Sequence, residues 1–298
     1  MNNSNRKKVK VIINPVAGTK SKKSIVESIG HLIDSERFDV EIVYTEYKGH
    51  ATEITSDAIK NNTDIVLAVG GDGTINEIAK ALIDTEVALG IVPCGSGNGL
   101  ARDLNIPMNV QKALKVLNEA YVKKIDYGIA NDNVFFCTCG VGFDAKVSEK
   151  ALTQTKRGLL MYAKNCLSVF SHFKPEKYKI TYEGGVFEDE AFVVTCANIS
   201  QYGNNAYIAP YADWQDGKMN ITILKPLSVL NAPKVVVQMF TKKLANNAKF
   251  VEYITPEAVI EMEKEGVMHL DGSAIVIDKK EIHVKIIKQG LNVIVPKE

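Results

Sequence analysis

The sequence predicts an α/β nucleotide-binding domain on a parallel sheet, followed by a β-rich sandwich domain. Two patterns predict it. Over the first 126 residues, apolar runs alternate with amphipathic segments, as in strands joined by helical crossovers. From residue 127 onward, short strand-like runs follow one another, as in a sandwich. A chain of 298 residues has the length for two cores. The expected domains are 1–126, with about 291–298 returning to it, and 127–290.

In the first domain, "KVKVIINP" is a β-branched strand that stops at Asn14 and Pro15. Ile25, Val26, Ile29, Leu32 and Ile33 then recur at helical spacing. "DVEIVYTE" is a second strand and "ATEITSDAIKNN" its helix. "DIVLAV" is continuously apolar, as expected of a strand covered on both faces. In "VGGDGTINEIAKAL", Thr74 followed by Glu77 predicts a capping box, and Ile75, Ile78, Ala79 and Leu82 form the apolar stripe of a helix. "VALGIV" leads into "PCGSGNG" and a helix at "LARDL".

In the second domain, "NVFFCTCG", "KYKITYE", "EAFVVTCANI", "KMNITIL", "AVIEME", "AIVID", "EIHVKII" and "LNVIVP" read as strands. Gly184 and Gly185 mark a hairpin. "RGLLMYAKNCLSVFSHFK" has a broad apolar surface from Leu159, Leu160, Tyr162, Ala163, Cys166, Leu167, Val169, Phe170 and Phe173, with Lys164 and Lys174 at its margins. Such a helix packs on a sheet, lines a lipid cleft or touches a membrane. "PKVVVQMFTKKL" carries the same alternatives.

Apolar residues make up 46% and net charge is +1, which excludes a disordered chain and gives no field that would recruit nucleic acid. No apolar run approaches the roughly 18–20 residues of a membrane span. The apolar stretch of the N-terminus is interrupted by Asn14 and Pro15, unlike a secretory leader. Five cysteines without a C-x-x-C spacing point to reduced thiols in the cytoplasm. Cys137 and Cys139 would share one strand face and read as core residues. The five histidines lack metal spacing and read as surface or satisfied residues, although His50 falls near a helix start.

Three loops, Asn14–Thr19, Gly70–Thr74 and Pro93–Gly99, each place glycine where a strand gives way to a helix. In a parallel sheet these lie at the carboxyl ends of the strands, where ligands bind. Glycine admits backbone amides close to an anion, and helix starts add unpaired donors, so phosphate is the expected ligand. The nucleotide loop G-x-x-x-x-G-K-[ST] is absent, since Gly18 precedes Thr19 and follows Ile13 by five. The G-x-G-x-x-G fingerprint also fails, at Asn76 and at Leu100. A carboxylate among phosphates needs a cation or a proton transfer to justify it. Asp72 therefore holds Mg²⁺ or accepts a hydroxyl proton, or it merely steadies the Asp-Gly turn. A cap already supplied by Thr74 favours chemistry.

"INPVAG", "GGDGTINEIA" and "GIVPCGSGNGLARDL", in this order, resemble the catalytic domain of the diacylglycerol kinase and sphingosine kinase superfamily, closest to the bacterial soluble lipid kinases. "KIDYGIANDNVFFCTCGVGFDAKV", "PYADWQDGKMNITIL" and "MHLDG" extend the resemblance over essentially the whole chain. It implies a fold shared with NAD kinases and phosphofructokinases, with the active site between the domains and ATP phosphates on the glycine loops. Carried over by position, nucleotide contacts fall on Asn14, Pro15, Gly18, Thr45, Gly71, Asp72, Gly73, Thr74, Asn76, Gly95, Ser96, Gly97 and Asn98. Asp126 matches an acidic position in a metal–water network. Asp213 and Asp216, with the Lys218 backbone, match a Mg²⁺ loop; read by themselves, they are either a hard-cation site or a hydrated turn.

The sequence departs from that family in two places. Ser273 stands where relatives carry the glutamate of Asp-Gly-Glu, their proposed base, and a serine hydroxyl is no base at neutral pH. Gly99 stands where bacterial relatives often carry an acid; Asp103 lies one turn later. Sphingosine-kinase-like members assign the base to the position that is Asp72 here. The leading expectation is an ATP- and Mg²⁺-dependent kinase of a lipid hydroxyl, with Asp72 and Asp126 catalytic, in the cytoplasm and in peripheral contact with the inner membrane face. The alternatives are a catalytically impaired nucleotide-binding regulator, motivated by Ser273, or a kinase of a soluble metabolite such as NAD. Strand edges in the second domain would permit a homodimer.

Overall fold

A computed structural model describes residues 6–18, 21–152 and 159–297, apart from the side chains at 159, 160 and 162. The chain forms two compact units, one running to Ile125 and resuming at Gln289, the other Asp126–Lys288.

In the first unit, β1 (Lys7–Ile13), β2 (Phe38–Tyr44), β3 (Ile65–Gly70) and β4 (Ala88–Pro93) pair in the order β2-β1-β3-β4. All three pairings are parallel. The central strands β3 and β4 are buried along their whole length, which is why their sequences are continuously apolar. The crossovers are α1 (Lys22–Leu32), α2 (His50–Lys60) and α3 (Asp72–Leu82); α4 (Gly99–Asp103) and α5 (Val110–Glu119) follow β4. The α3 stripe expected from the sequence, Ile75, Ile78, Ala79 and Leu82, is the buried face. Helix α5 was not anticipated, although Val110, Ala113, Leu114 and Leu117 bury one face at helical spacing.

The second unit opens with β5 (Val122–Ala130), which starts in the first, then β6 (Asn133–Phe135), β7 (Thr138–Gly142), α6 (Phe143–Leu152) and α7 (Leu159–Phe170). It continues through β8 (Glu176–Tyr182), β9 (Gly185–Ala191), β10 (Val193–Ala197), β11 (Met219–Leu224), α8 (Ala232–Phe240), β12 (Phe250–Thr255), β13 (Glu257–Met262), β14 (Gly266–Leu270), β15 (Ser273–Ile277) and β16 (Glu281–Ile294). One sheet runs β12-β11-β10-β7-β14-β15; the other contains β8, β9, β13 and the first half of β16. Pairing within both is antiparallel. The faces meet in a core that includes Cys139, Val141, Val194, Cys196, Ile221, Met268, Tyr178, Ile180, Ile260 and Val284.

Three expectations need correction. "EIHVKII" and "LNVIVP" are one strand, β16, whose end pairs Val293 with Leu89 of β4. "NVFFCTCG" is two strands, because the Asp271 carboxylate draws the amides of Phe136, Cys137 and Thr138 to itself at 2.8–3.0 Å and interrupts the run. Cys137 therefore lies in the break, while Cys139 pairs with Cys196 across strands. Helix α6 was also missed; it covers a sheet face with Ala145 and Val147, and its first residue, Phe143, stacks on Phe192.

Candidate active site

The parallel sheet brings the ends of β1, β3 and β4 side by side, and their glycines let the following loops touch. Asn14 donates its backbone amide to Val69 at 3.0 Å, and Cys94 donates to Gly70 at 2.7 Å. A methyl group on Gly95 would lie 2.7 Å from the Gly71 Cα, so this approach requires glycine on both sides. Gly18, at φ +66°, sits against the Cys94 carbonyl, where a side chain would meet it at 2.0 Å. The three loops converge as expected; Thr19, the end of the first, lies outside the described residues.

The expected capping box is absent. Helix α3 begins three residues earlier than that box places it, at Asp72, with Gly71 as N-cap and no side-chain cap. Thr74 thus lies inside the first turn, buried, and its hydroxyl accepts from the Asn14 amide group at 2.9 Å. Glu77 turns away and accepts from the Gly49 amide at 3.0 Å, at the start of α2. With glycine at its N-cap, α3 has no side-chain cap among the described residues, and such a helix start is an anion-binding end.

Asp72, the first residue of that helix, accepts from the backbone amides of Asn98 at 2.8 Å and Gly99 at 2.7 Å. Its carboxylate caps α4 and binds the second loop to the third. A carboxylate has about four acceptor positions, so two bonds leave room for a proton or a cation. The amide of Gly99 is one of these donors, and a methyl group on Gly97 would lie 2.8 Å from the Asp72 Oδ2.

The remaining positions of the first unit differ in what they present. Pro15 and Ser96 are exposed, Gly73 faces solvent, and Asn76 is half-buried on α3. Thr45 is buried at the end of β2, where its amide donates to Ile13. The Asn98 side chain is folded onto Gly95, accepting from its amide at 3.0 Å and donating to its carbonyl at 2.8 Å, so it shapes the loop. Arg102, not singled out from the sequence, donates to the Gly97 carbonyl at 3.0 Å. His50 accepts from the Glu46 amide at 3.1 Å and stacks on Tyr47.

In the second unit Asp126 is fully buried. Its carboxylate accepts from the Gly217 amide at 2.6 Å, and its own amide donates to the Trp214 carbonyl at 2.8 Å. Asp126 and the 213–218 loop, assigned separately from the sequence, are therefore one construction. Within it Asp213 accepts from the Gln215 amide at 2.9 Å and Asp216 from the Lys218 amide at 2.8 Å. Each keeps a second carboxylate oxygen, an oxygen-only donor set that suits a hard cation such as Mg²⁺. Among the described residues no group of three His, Cys, Asp or Glu side chains forms a metal cluster. Ser273 is exposed at the start of β15, and Asp271, before it, serves the β6–β7 break.

Sequence reasoning missed a polar cluster under α6. Asp144, the second residue of that helix, is buried. Its Oδ2 accepts from Thr195 at 2.9 Å, Tyr202 at 2.7 Å and His269 Nε2 at 2.9 Å, while Oδ1 accepts from the Ala145 amide at 2.8 Å. Thr195 and His269 occupy strands on either side of Gly140. A methyl group there would lie 3.0 Å from the His269 Nε2. The Nδ1 of His269 is buried with no hydrogen-bond partner among the described residues. The signal was the invasion of a core position by "FDA" after a glycine-ended strand, which periodicity does not read.

Residues 8–130 match the diacylglycerol kinase catalytic domain, and residues 137–295 match the YegS C-terminal NAD kinase beta sandwich-like domain. A diacylglycerol kinase of Bacillus subtilis is 25% identical over 273 residues, covering 89% of each chain. One of Staphylococcus aureus is 27% identical over 224 residues, covering 74% of this chain and 71% of the relative. A crystal structure of a diacylglycerol kinase from Bacillus anthracis shares the fold over 97% of both chains, with a TM-score of 0.74 at 24% identity.

Proposed function

The chain belongs to the diacylglycerol kinase catalytic-domain family and is a lipid kinase; from that premise we propose that it moves the γ-phosphoryl group of ATP to the hydroxyl of a diacylglycerol-like or sphingoid lipid. The observation that carries the reading is the uncapped start of α3 between two touching glycine loops, with Asp72 as its first residue. The triphosphate binds these amides, because the helix start and the loop N–H groups supply positive potential without a side chain in the way.

Phosphoryl transfer needs positioning and charge stabilisation more than covalent chemistry. The Gly71–Thr74 and Gly95–Gly97 backbones do the first part, and the Asn14–Thr74 hydrogen bond keeps the β1 loop in register with them. Asp72 accepts the hydroxyl proton on an oxygen position that the Asn98 and Gly99 amides leave open. Those amides fix its direction, so no reorganisation accompanies the transfer. Bound Mg²⁺ would neutralise charge on the phosphates, and Asp213, Asp216 and the Lys218 carbonyl would hold a second, structural ion braced by Asp126.

Transfer of labelled phosphate from ATP into a total lipid extract, followed by identification of the product, tests the proposal. Incorporation into a glycerolipid or sphingoid base that disappears in Asp72→Asn supports it. A protein that binds ATP yet labels no lipid would refute it.

A further inference from the structure

Helix α8 is apolar on two sides, and the second unit covers only one of them. Val235 and Met239 face a small cluster formed with Phe192, Leu224 and Leu244. On the opposite side Val236, Val237 and Phe240 are exposed, and the preceding turn adds Val229 and Leu230, the latter 91% exposed. Proteins rarely leave five large apolar side chains of one short segment in water without a partner for them. A helix with apolar residues all round is normally buried.

The charge around this face identifies the partner. From Lys225 to Phe250 the sequence holds five lysines, at 225, 234, 242, 243 and 249, and no aspartate or glutamate. The segment is therefore strongly positive within a chain whose net charge is only +1. Lys225 is already paired with Asp189 at 3.0 Å, and Lys242 lies over the Tyr207 ring at 4.3 Å. Lys234 and Lys243 are exposed, before and after the apolar residues of the helix. Apolar side chains rimmed by lysine match a bilayer surface, where the chains enter the acyl boundary and the ammonium groups meet lipid phosphates. No helix among the described residues is long and apolar enough to span a membrane.

We propose that α8 and the Val229–Leu230 turn form a docking face that lies in the surface of an anionic phospholipid bilayer. This extends the lipid-kinase reading and rests on it, because a long-chain lipid acceptor resides in a bilayer and the enzyme must work at its surface. Binding is moderate and reversible, since one short helix buries few side chains.

The test is co-sedimentation of the full chain with vesicles of phosphatidylcholine alone and of equimolar phosphatidylcholine and phosphatidylglycerol. Nucleotide and acceptor lipid are omitted, so the result is separate from whether the chain phosphorylates a lipid. The wild type should bind the mixed vesicles about tenfold or more tightly than the neutral ones, and high salt should weaken that binding. Leu230→Asp/Val237→Asp should lower binding to both vesicles by about tenfold or more. Lys234→Ser/Lys243→Ser should remove the preference for the anionic vesicles. All substituted residues are exposed, and unchanged thermal unfolding confirms the fold; Val236→Ser/Phe240→Ser gives a milder second pair. Wild type that ignores both vesicles, or aspartate and serine pairs that bind like wild type, would overturn the proposal. So would an aspartate pair that turns a dimer into a monomer while vesicle binding stays unchanged, which would make the face a contact between copies.

Discussion

Asp72 and Asp144 begin from the same local design and end with different jobs. Each stands at the start of a helix that follows a glycine-ended strand, β3 for one and β7 for the other. Asp72 is only half-buried, and backbone amides from one neighbouring loop are its partners. Asp144 is buried and holds two hydroxyls, an imidazole and an amide. The first retains open acceptor positions. The second has committed its carboxylate to joining α6, β10 and β14. A carboxylate at a helix start is thus left open or fully committed according to how many donors the surroundings supply.

The largest effect that would separate the two is on rate. Asp72→Asn should lower phosphoryl transfer to lipid by about 10²–10⁴-fold and shift the unfolding midpoint little, as read by labelled-ATP transfer beside a melting curve. Equal turnover in that variant would remove the distinction. Asp144→Ala should do the reverse in kind. It removes the acceptor shared by Thr195, Tyr202 and His269; the two hydroxyls keep each other at 2.7 Å, while the His269 Nε2 loses its carboxylate, at a cost of about 3 kcal/mol in denaturant unfolding.

Gly95→Ala probes the first site without touching its acid. The added methyl group meets the Gly71 Cα at 2.7 Å and Asn98 Oδ1 at 2.9 Å, and overpacking of that kind costs about 1–3 kcal/mol. ATP binding, followed by calorimetry, should weaken even though every polar group remains. The smallest effect concerns Cys166 on α7, whose thiol burial pushes up to about 11. Its ionised, reactive form grows as pH rises toward that value, so alkylation at pH 8 should run roughly a hundredfold slower than for free cysteine. Because burial outweighs the nearby Asp144 charge, Asp144→Asn should change that rate only slightly, provided the fold holds.

Much of the first unit was legible because its signals are local. Continuous apolar runs marked β3 and β4, and the spacing of Ile75, Ile78, Ala79 and Leu82 marked the α3 face. The glycine loops announced themselves at the strand ends. The capping box failed because the same Thr–Glu spacing also fits a helix that starts three residues earlier, and only contacts with Asn14 and Gly49 chose between the two. In the second unit many strands were readable, but β9, β12 and β14 were not among them, and "EAFVVTCANI" divides between the end of β9 and β10. Helix α6 and the β6–β7 break were not readable either, since each depends on a carboxylate reaching residues far away in sequence.

The order of motifs by itself determined the family, the two kinds of architecture and the residues around which phosphate chemistry could be built, because turns, periodicity and glycine at strand ends are consequences of neighbouring residues. Tertiary structure alone decided which acid keeps open acceptor positions, that Asp126 braces the 213–218 loop, and which face of α8 is left to water. Those outcomes depend on donors and apolar surfaces contributed from distant parts of the chain, and a hydrogen bond or a covered face exists only once folding has brought both sides together.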